Sequence, residues 1–173
     1  MQMKSSILVT GGAGYIGSHT AVSLAKAGFR VVLLDNFSNS DFQAVQGVRS
    51  LINAEVPFYE VDCRDTDGLF DVFRIEKEKG HVIEGVIHFA ALKAVGESVE
   101  DPLKYYHNNI GSLVCIIDLM NKYKVKNLVF SSSCTVYGEA DFLPVTEDHP
   151  IKKAESPYGF TKQVCEQMIS DSL

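Results

Sequence analysis

The chain has 173 residues, of which 46% are hydrophobic and 22% are charged, a balance typical of one folded domain with a full hydrophobic core. Its formal net charge of −6 and the lack of a basic run argue against nucleic acid as a partner. Because no window is apolar over about 18 residues and no apolar leader precedes the first strand, we expect one cytoplasmic domain over residues 1–173, without a membrane partner.

The cysteines are widely separated along the chain. Cys63, Cys115, Cys134 and Cys165 form neither a C-x-x-C pair nor a Cys/His cluster at metal-ligand spacing. We therefore expect four reduced thiols, as in an intracellular protein, and no metal site.

The first element is an apolar run, residues 7–9, that breaks into glycines and then continues with helical spacing over residues 15–27. Gly11 allows a tight turn, Gly14 lets the backbone approach a phosphate, and Gly17 lets the helix pack on the strand. The N-terminus of that helix would face a dinucleotide pyrophosphate with free N–H groups and the positive end of its dipole. An ordinary strand-to-helix turn is the alternative interpretation.

The second predicted strand, residues 30–34, ends at Asp35. A carboxylate at this place accepts hydrogen bonds from a ribose diol and repels a 2′-phosphate. Since Asn36 and Phe37 follow it rather than an arginine, the sequence favours NAD over NADP. This context favours the dinucleotide interpretation of the glycines.

The rest of the chain alternates helices and strands with short links. The spacing of apolar residues predicts helices over 41–53, 67–79, 97–123 and 157–173. It also predicts a third strand from Pro57 to Asp62, a fourth strand within 82–91 around residues 85–89, and a fifth strand over 127–131. Residues 138–156 are predicted to be irregular. This alternation predicts an α/β fold with a doubly wound parallel sheet in the strand order 3-2-1-4-5.

Small residues follow the fourth predicted strand. Phe89, Ala90 and Ala91 would lie beside the glycine turn, since open α/β sheets bind ligands at the carboxyl ends of their strands. Small side chains there would let a cofactor lie close to the backbone. Their alternative role is helix packing.

Tyr158 and Lys162 are four residues apart in the last predicted helix and therefore share a face. A phenol titrates near pH ~10 in water, and a nearby ammonium together with a positive nicotinamide lowers that pKa towards the range of a general base. Ser133, at the serine-rich end of the fifth strand, can hydrogen-bond the same substrate oxygen. A solvated helix face is the alternative interpretation of the tyrosine and lysine.

Residues 10–17, the Tyr158/Lys162 pair and the serine-rich strand end resemble the extended short-chain dehydrogenase/reductase superfamily. Within it, residues 14–20, 88–98, 105–109, 131–133 and 135–138 resemble the UDP-glucose 4-epimerase (UDP-galactose 4-epimerase) family, over essentially the whole chain. Residues 92–98 are the most specific part. Related sugar-nucleotide dehydratases carry an acidic pair after the first serine of strand five, which this chain lacks.

The resemblance implies a Rossmann-like domain that holds NAD tightly. It implies pyrophosphate contacts at Gly11, Gly14, Tyr15, Ile16 and Gly17, ribose contacts at Asp35, Asn36, Asn39 and Ser40, adenine contacts at Asp62 and Cys63, and further cofactor contacts at Phe89, Ala90, Ala91, Lys93 and Asn108. It also implies that Ser133 and Tyr158 address the sugar 4-hydroxyl, that Lys93 reaches the substrate, and that Lys162 binds the nicotinamide ribose beside Tyr158.

In the family's reaction, the residue matching Tyr158 removes the 4-hydroxyl proton while hydride passes from sugar C4 to NAD⁺. The 4-keto sugar then turns over and receives the hydride on its other face. UDP-glucose and UDP-galactose are thereby interconverted, as galactose metabolism requires, without net redox change.

Three departures from the family pattern are visible. Ala91 stands where the family usually has glycine, Cys134 where it usually has alanine, and the family's members are longer. The part beyond these 173 residues supplies the last strands of the sheet and most of the UDP-sugar site. Strand five would then be a sheet edge, so we expect these residues alone to hold NAD weakly and to have little or no epimerase activity.

The resemblance further implies a homodimer built from the helices over 97–123 and 157–173. Two other functions stay open at this point. One is a catalytically weak NAD-binding or dimerising module. The other is a sibling enzyme acting on another nucleotide sugar, such as a dehydratase, a decarboxylase or a UDP-hexuronic acid epimerase.

Overall fold

The computed structural model describes residues 4–172, without the side chain of Lys4. Residues 1–3 of the predicted domain and residue 173 of the predicted last helix lie outside the described residues. The chain divides into two compact units. The first contains the chain up to Ala90 together with Cys115–Ser131, and the second contains Ala91–Val114 and the chain from Ser132 onward. The single domain over 1–173 stays a prediction.

The first unit is built on a five-stranded parallel sheet. Its strands are β1 (Lys4–Thr10), β2 (Arg30–Asp35), β3 (Phe58–Glu60), β4 (His81–His88) and β5 (Asn127–Phe130). The order β3-β2-β1-β4-β5 confirms the predicted doubly wound topology. In register, Thr10 lies opposite Leu34 on one side and His88 on the other, so the carboxyl ends of these strands meet at one edge.

The helices are α1 (Tyr15–Lys26), α2 (Phe42–Ile52), α3 (Thr66–Glu78), α4 (Val95–Glu100), α5 (Pro102–Tyr105), α6 (Gly111–Tyr123) and α7 (Pro157–Ser172). In the first unit, two apolar clusters pack against the sheet. Leu8 and Val32 belong to the cluster that contains α3 side chains, while Val9 and Leu33 belong to the cluster that contains α1 and α2 side chains. Successive strand residues point to opposite faces, and this explains why the central strands are apolar throughout.

The predicted continuous helix over 97–123 is wrong. The chain forms α4, α5, a π-helical turn at Tyr106–Ile110, and α6 instead. Pro102 has no N–H group to donate, and the residue before a proline is disfavoured in helical geometry. Accordingly Asp101 leaves the helical region with φ −133° and ψ 76°, and its carboxylate caps α5 by accepting from the Lys104 N–H at 3.2 Å.

Some strand ends also differ from the prediction. β3 ends at Glu60 rather than Asp62, although the Val61 N–H still donates to the Asp35 carbonyl at 3.0 Å. β4 spans His81–His88 rather than centring on residues 85–89, and β5 ends at Phe130. The Ser131 N–H nevertheless donates to the His88 carbonyl at 3.2 Å, so pairing continues one residue beyond β5.

All four cysteines are free thiols, as predicted, and Cys63 and Cys165 are buried. Segment 138–156 contains neither a helix nor a strand, which also confirms the prediction for these described residues. None of the helices described in residues 4–172 combines the length and the apolar character that crossing a bilayer requires.

A buried carboxylate joins α3 to the sheet. The Glu76 side chain is fully buried and accepts hydrogen bonds from the Arg30 guanidinium and the Tyr59 hydroxyl, both at 2.6 Å. Burial pushes the pKa of Glu76 up, but the hydrogen bonds from Tyr59 and Arg30 outweigh burial and hold this pKa below its ordinary value. Burial, and then Glu76 itself, raises the pKa of Tyr59. The proton therefore stays on the phenol and the carboxylate stays charged.

We expect Glu76→Gln to lower the free energy of unfolding by about 2 kcal/mol near neutral pH, because Arg30 then lacks its carboxylate partner. The pKa of Glu76 is lower in the folded chain than its unfolded value of 4.5, so the charged carboxylate stabilises the folded state at pH values above 4.5. This stabilisation is lost as the pH falls through the folded-state pKa. The difference from the parent chain should therefore shrink below pH 4.5. Urea unfolding of both chains near neutral pH and below pH 4.5 measures this difference in the free energy of unfolding.

The matched control is Glu78→Gln on the same helix. Glu78 is exposed and pairs with Arg74 at 2.9 Å, so its loss should cost less than about 0.5 kcal/mol. Equal costs for the two variants would show that burial of the Glu76 network contributes nothing.

Candidate functional site

The turn between β1 and α1 is compact enough to exclude side chains. Gly11 has φ +66°, and a Cβ there would lie 2.8 Å from the Ala90 backbone nitrogen. A Cβ on Gly17 would collide with the Gly11 carbonyl oxygen. Gly14 is the N-cap of α1, and no side chain of the described residues caps it. The first N–H groups of α1 are therefore available to an anionic ligand.

Asp35 is the last residue of β2 and holds this turn in place. Its carboxylate is buried and accepts from the Ala13 N–H at 3.0 Å through Oδ2. Oδ1 accepts from the Phe37 N–H at 3.0 Å and from the Ser40 hydroxyl at 2.8 Å. Because Oδ2 accepts only one of these bonds, it keeps a lone pair for a ribose hydroxyl. Asp35 and Ser40, both predicted to contact the ribose, thus lie next to each other.

Asn36 and Asp62 also lie together. The Asn36 amide donates to Asp62 Oδ2 at 2.9 Å, and the Arg64 guanidinium donates to both carboxylate oxygens at 2.9 and 2.7 Å. The Arg64 hydrogen bonds hold the pKa of Asp62 far below its usual range, with burial opposing them. Burial raises the pKa of the Cys63 thiol to about 12, so this thiol is unreactive. Arg64 was not identified from the sequence.

The other predicted cofactor residues of the first unit lie at the same edge. The Phe89 N–H donates to the Thr10 carbonyl at 3.1 Å, which extends the β1–β4 ladder beyond β4. Ala90 comes next, beside Gly11. Tyr15, Ile16 and Asn39 have exposed side chains.

In the second unit, Tyr158 and Lys162 occupy the same face of α7, as their spacing predicts. Tyr158 is 9% exposed and Lys162 only 4%, so the alternative of a solvated face is wrong. The Lys162 Nζ lies 5.9 Å from the Tyr158 ring centroid. Burial lowers the pKa of Lys162, while Cys165 and Glu166 oppose that shift.

Ser133 caps a 3₁₀ turn at Cys134–Tyr137. Its Oγ accepts from the Thr135 N–H at 3.3 Å and from the Thr135 hydroxyl at 2.9 Å. Since the oxygen accepts both bonds, its own proton is available to another acceptor. A Cβ on Gly159 would lie 3.2 Å from Thr135 Oγ1, so this turn packs directly against the first turn of α7.

Two polar side chains that the sequence did not single out, Ser132 and Asn109, make hydrogen bonds that hold this unit together. The Ser132 hydroxyl donates to the Glu166 carboxylate and ties the serine-rich segment to α7. The buried Asn109 amide bonds both the N–H and the carbonyl of Leu92 at 2.9 Å, and donates to Thr161 Oγ1 on α7 at 3.2 Å. An asparagine within an apolar helical stripe is the signal that could have identified it.

The remaining predicted residues of the second unit lie near Asn109. The Asn108 amide donates to Asn109 Oδ1 at 3.0 Å. Ala91 and Lys93 flank Leu92, which Asn109 holds, and the Lys93 side chain is exposed. Cys134, the second departure from the family pattern, is also exposed.

The parallel sheet in the order 3-2-1-4-5, the glycine turn into α1 and the carboxylate at the end of β2 together define a dinucleotide-binding α/β protein. The model of the NAD dependent epimerase/dehydratase family matches residues 7–172. The chain belongs to that family, and NAD is confirmed as the family's cofactor.

The chain is 52% identical to the UDP-glucose 4-epimerase of Bacillus subtilis over 166 residues, which cover 96% of this chain and 47% of the relative. It is 50% identical to that of Dictyostelium discoideum, covering 95% and 46%. A Bifidobacterium longum UDP-glucose 4-epimerase structure, in complex with NAD⁺ and UDP, superimposes with a TM-score of 0.91 at 42% identity, covering 96% and 48%. The chain thus spans about half the length of these relatives. The predicted resemblance is confirmed.

We expect Gly17→Ala to abolish NAD binding and to lower the melting temperature, because the new Cβ meets the Gly11 carbonyl and opens the turn. The matched control is Gly47→Ala in α2, where a Cβ meets nothing within 4 Å. That change should stabilise the chain by about 0.5–1 kcal/mol. Thermal unfolding with and without NAD measures the stability and the NAD binding of each variant. Equal melting temperatures and equal NAD binding in the two variants would contradict the close contact between Gly17 and the Gly11 carbonyl.

Proposed function

We propose that this chain carries the NAD-binding and proton-transfer residues of a UDP-glucose 4-epimerase that interconverts UDP-glucose and UDP-galactose. The observation that carries the proposal is the buried Tyr158 beside the buried Lys162. A lysine is rarely buried without a functional or structural partner, because desolvating its charge is costly. Family membership and the two epimerase relatives support the same reaction class.

In the first unit, the open N–H groups of α1 would bind the pyrophosphate and Asp35 the adenosine ribose. Asn36, Asn39 and Ser40 would complete the ribose contacts, and Asp62 would meet the adenine edge. When bound, the nicotinamide supplies the acceptor and donor of hydride. The glycine turn fits this role, because a Cβ at Gly11 or Gly17 would collide with neighbouring backbone and open the compact turn that leaves the N-terminus of α1 accessible.

In the second unit, Tyr158 would accept the proton of the sugar 4-hydroxyl as a general base. The Lys162 ammonium would stabilise the phenolate form of Tyr158, which is the form that accepts this proton, and would hold the nicotinamide ribose. Ser133 would donate its proton in a hydrogen bond to the same sugar oxygen. The exposed Lys93 would reach the UDP-sugar.

A second candidate is an NAD-binding module with little activity of its own. In the part of the chain that the structure describes, β5 lies at the edge of the sheet with an exposed Val129. Unpaired strand edges weaken the elements next to them. A sibling enzyme for another nucleotide sugar is the third outcome that an assay must separate.

The test follows hydride uptake by the NAD-loaded chain after UDP-galactose is added. Because the chain has no tryptophan, the fluorescence of the reduced nicotinamide is seen against a low protein background. We expect slow uptake in the parent chain and a rate about a hundredfold lower in Tyr158→Phe, since the general base is removed. Tyr123→Phe, on α6, is the matched control and should match the parent chain.

Each outcome separates the candidates. NAD binding without uptake from any sugar supports the module. Uptake from another nucleotide sugar alone supports the sibling enzyme. A chain that binds no NAD at all would overturn the proposal.

We further propose that the chain forms a homodimer through α4, α5, α6 and α7. Val95 and Val99 lie one turn apart on α4 and are both exposed, as are Leu103 on α5 and Phe160 on α7. Large exposed apolar side chains on neighbouring helices are typical of protein–protein interfaces. The Tyr106 and Phe160 rings contact edge to face with centroids 6.3 Å apart, so α7 and the π-helical turn share this surface.

We expect the double variant Val99→Glu with Leu103→Glu to be monomeric, because an interface would have to bury two unpaired carboxylates. Sedimentation equilibrium measures the association. Leu51→Glu places a carboxylate on an equally exposed apolar position of α2 and should leave the dimer intact. A monomeric parent chain would rule out this interface.

We also propose a cytoplasmic location. All four cysteines are free thiols, and structural disulfides are typical of oxidising compartments rather than the cytosol.

A further inference from the structure

A second tyrosine of the second unit lies against Tyr158. Tyr105, the last residue of α5, is completely buried. Its ring meets the Tyr158 ring edge to face, with centroids 6.4 Å apart and an interplanar angle of 80°. This is the geometry that aromatic pairs favour, so Tyr105 forms one wall for the Tyr158 ring.

The Tyr105 hydroxyl is held on two sides. It donates to Glu97 Oε2 at 2.6 Å and accepts from the Ala94 N–H at 3.1 Å. The other Glu97 oxygen accepts from the Lys104 ammonium at 2.6 Å. Burial and then Glu97 raise the pKa of Tyr105 to about 12, so this phenol keeps its proton near neutral pH. Tyr105 thus has one orientation and one protonation state.

The same helix, α4, also contacts the backbone of Tyr158. The Ser98 hydroxyl is buried, accepts from the Tyr158 N–H at 3.2 Å and donates to the Val95 carbonyl at 2.6 Å. Tyr158 is therefore fixed at its backbone by Ser98 and at its ring by Tyr105. Both contacts depend on α4, which carries Glu97.

We propose that Tyr105, locked by Glu97, is a positioning residue that holds the Tyr158 ring in the orientation its proton transfer requires. The inference rests on the proposed function, in which Tyr158 is the general base. A proton acceptor has to stay within hydrogen-bond reach of the reacting oxygen, and small displacements cost large factors in rate. Without the lock, the Tyr105 wall moves and the Tyr158 ring gains other orientations.

Packing alone does not require this arrangement. A phenylalanine at position 105 would fill the same space without a buried hydroxyl that needs partners. The Lys104–Glu97 pair is about half exposed and contributes little stability on its own. What Glu97 specifically provides is an acceptor oxygen that fixes the direction of the Tyr105 hydroxyl.

The test uses the 173-residue chain with its seven tyrosines replaced by 3-fluorotyrosine. Fluorine NMR then reports the orientation of each ring, and Tyr158→Phe identifies the Tyr158 signal. We expect Tyr105→Phe to raise the flipping rate of the Tyr158 ring by about tenfold, because one hydrogen bond to a charged group is lost.

Tyr59→Phe is the matched control. It removes the same kind of phenol–glutamate bond, from Tyr59 to Glu76 at 2.6 Å, in the first unit. Both variants should lower the melting temperature, but only Tyr105→Phe should change the Tyr158 signal. A change in both would reduce the effect to general stability and overturn the proposal.

Rescue provides the second criterion. Glu97→Gln keeps an acceptor oxygen for the Tyr105 hydroxyl and should leave the Tyr158 ring nearly as in the parent chain, whereas Glu97→Ala should act like Tyr105→Phe. If Tyr105→Phe does not fold, the comparison of Glu97→Gln with Glu97→Ala tests the positioning role of Tyr105. An unchanged Tyr158 signal in Glu97→Ala overturns the positioning role. These signals do not depend on NAD binding or hydride uptake, so failure of the proposed function would appear separately.

Discussion

The carboxylate of Asp35 is the contact that holds together the loops at the carboxyl edge of the sheet in the first unit. It accepts from the Ala13 N–H in the glycine turn and from the Phe37 N–H and the Ser40 hydroxyl beyond β2. One buried charge thus organises two loops from neighbouring strands, and the backbone N–H groups satisfy it. The turn that would bind pyrophosphate and the residue that would bind ribose are therefore built as one structure.

The second unit contains a buried cation. Lys162 is almost fully buried on α7, where Glu166 and Cys165 oppose the loss of its charge. Its neighbour Tyr158 is held at the backbone by Ser98 and at the ring by Tyr105. In the proposed reaction, a phenol and an ammonium confined in this way would lose little entropy when a substrate binds.

The sequence predicted the elements wherever one local rule acted alone. Glycine spacing located the turn at Gly11–Gly17, and apolar runs located the central strands with their order. The prediction failed where two rules competed. Over 97–123 the apolar spacing indicated one helix, but Pro102 interrupts it at Asp101, and the π-helical turn then shifts the following residues around the axis. A helical period alone does not reveal such a shift.

The sequence by itself determined the family, the cofactor class and the pairing of Tyr158 with Lys162, because glycine spacing and helical periodicity act over a few residues. Only the tertiary structure showed that both side chains are buried and that Glu97, Tyr105 and Asn109 hold their surroundings. Those contacts join residues far apart in the chain. Their strength depends on burial, which excludes competing water, and burial is a property of the packed structure rather than of any local pattern.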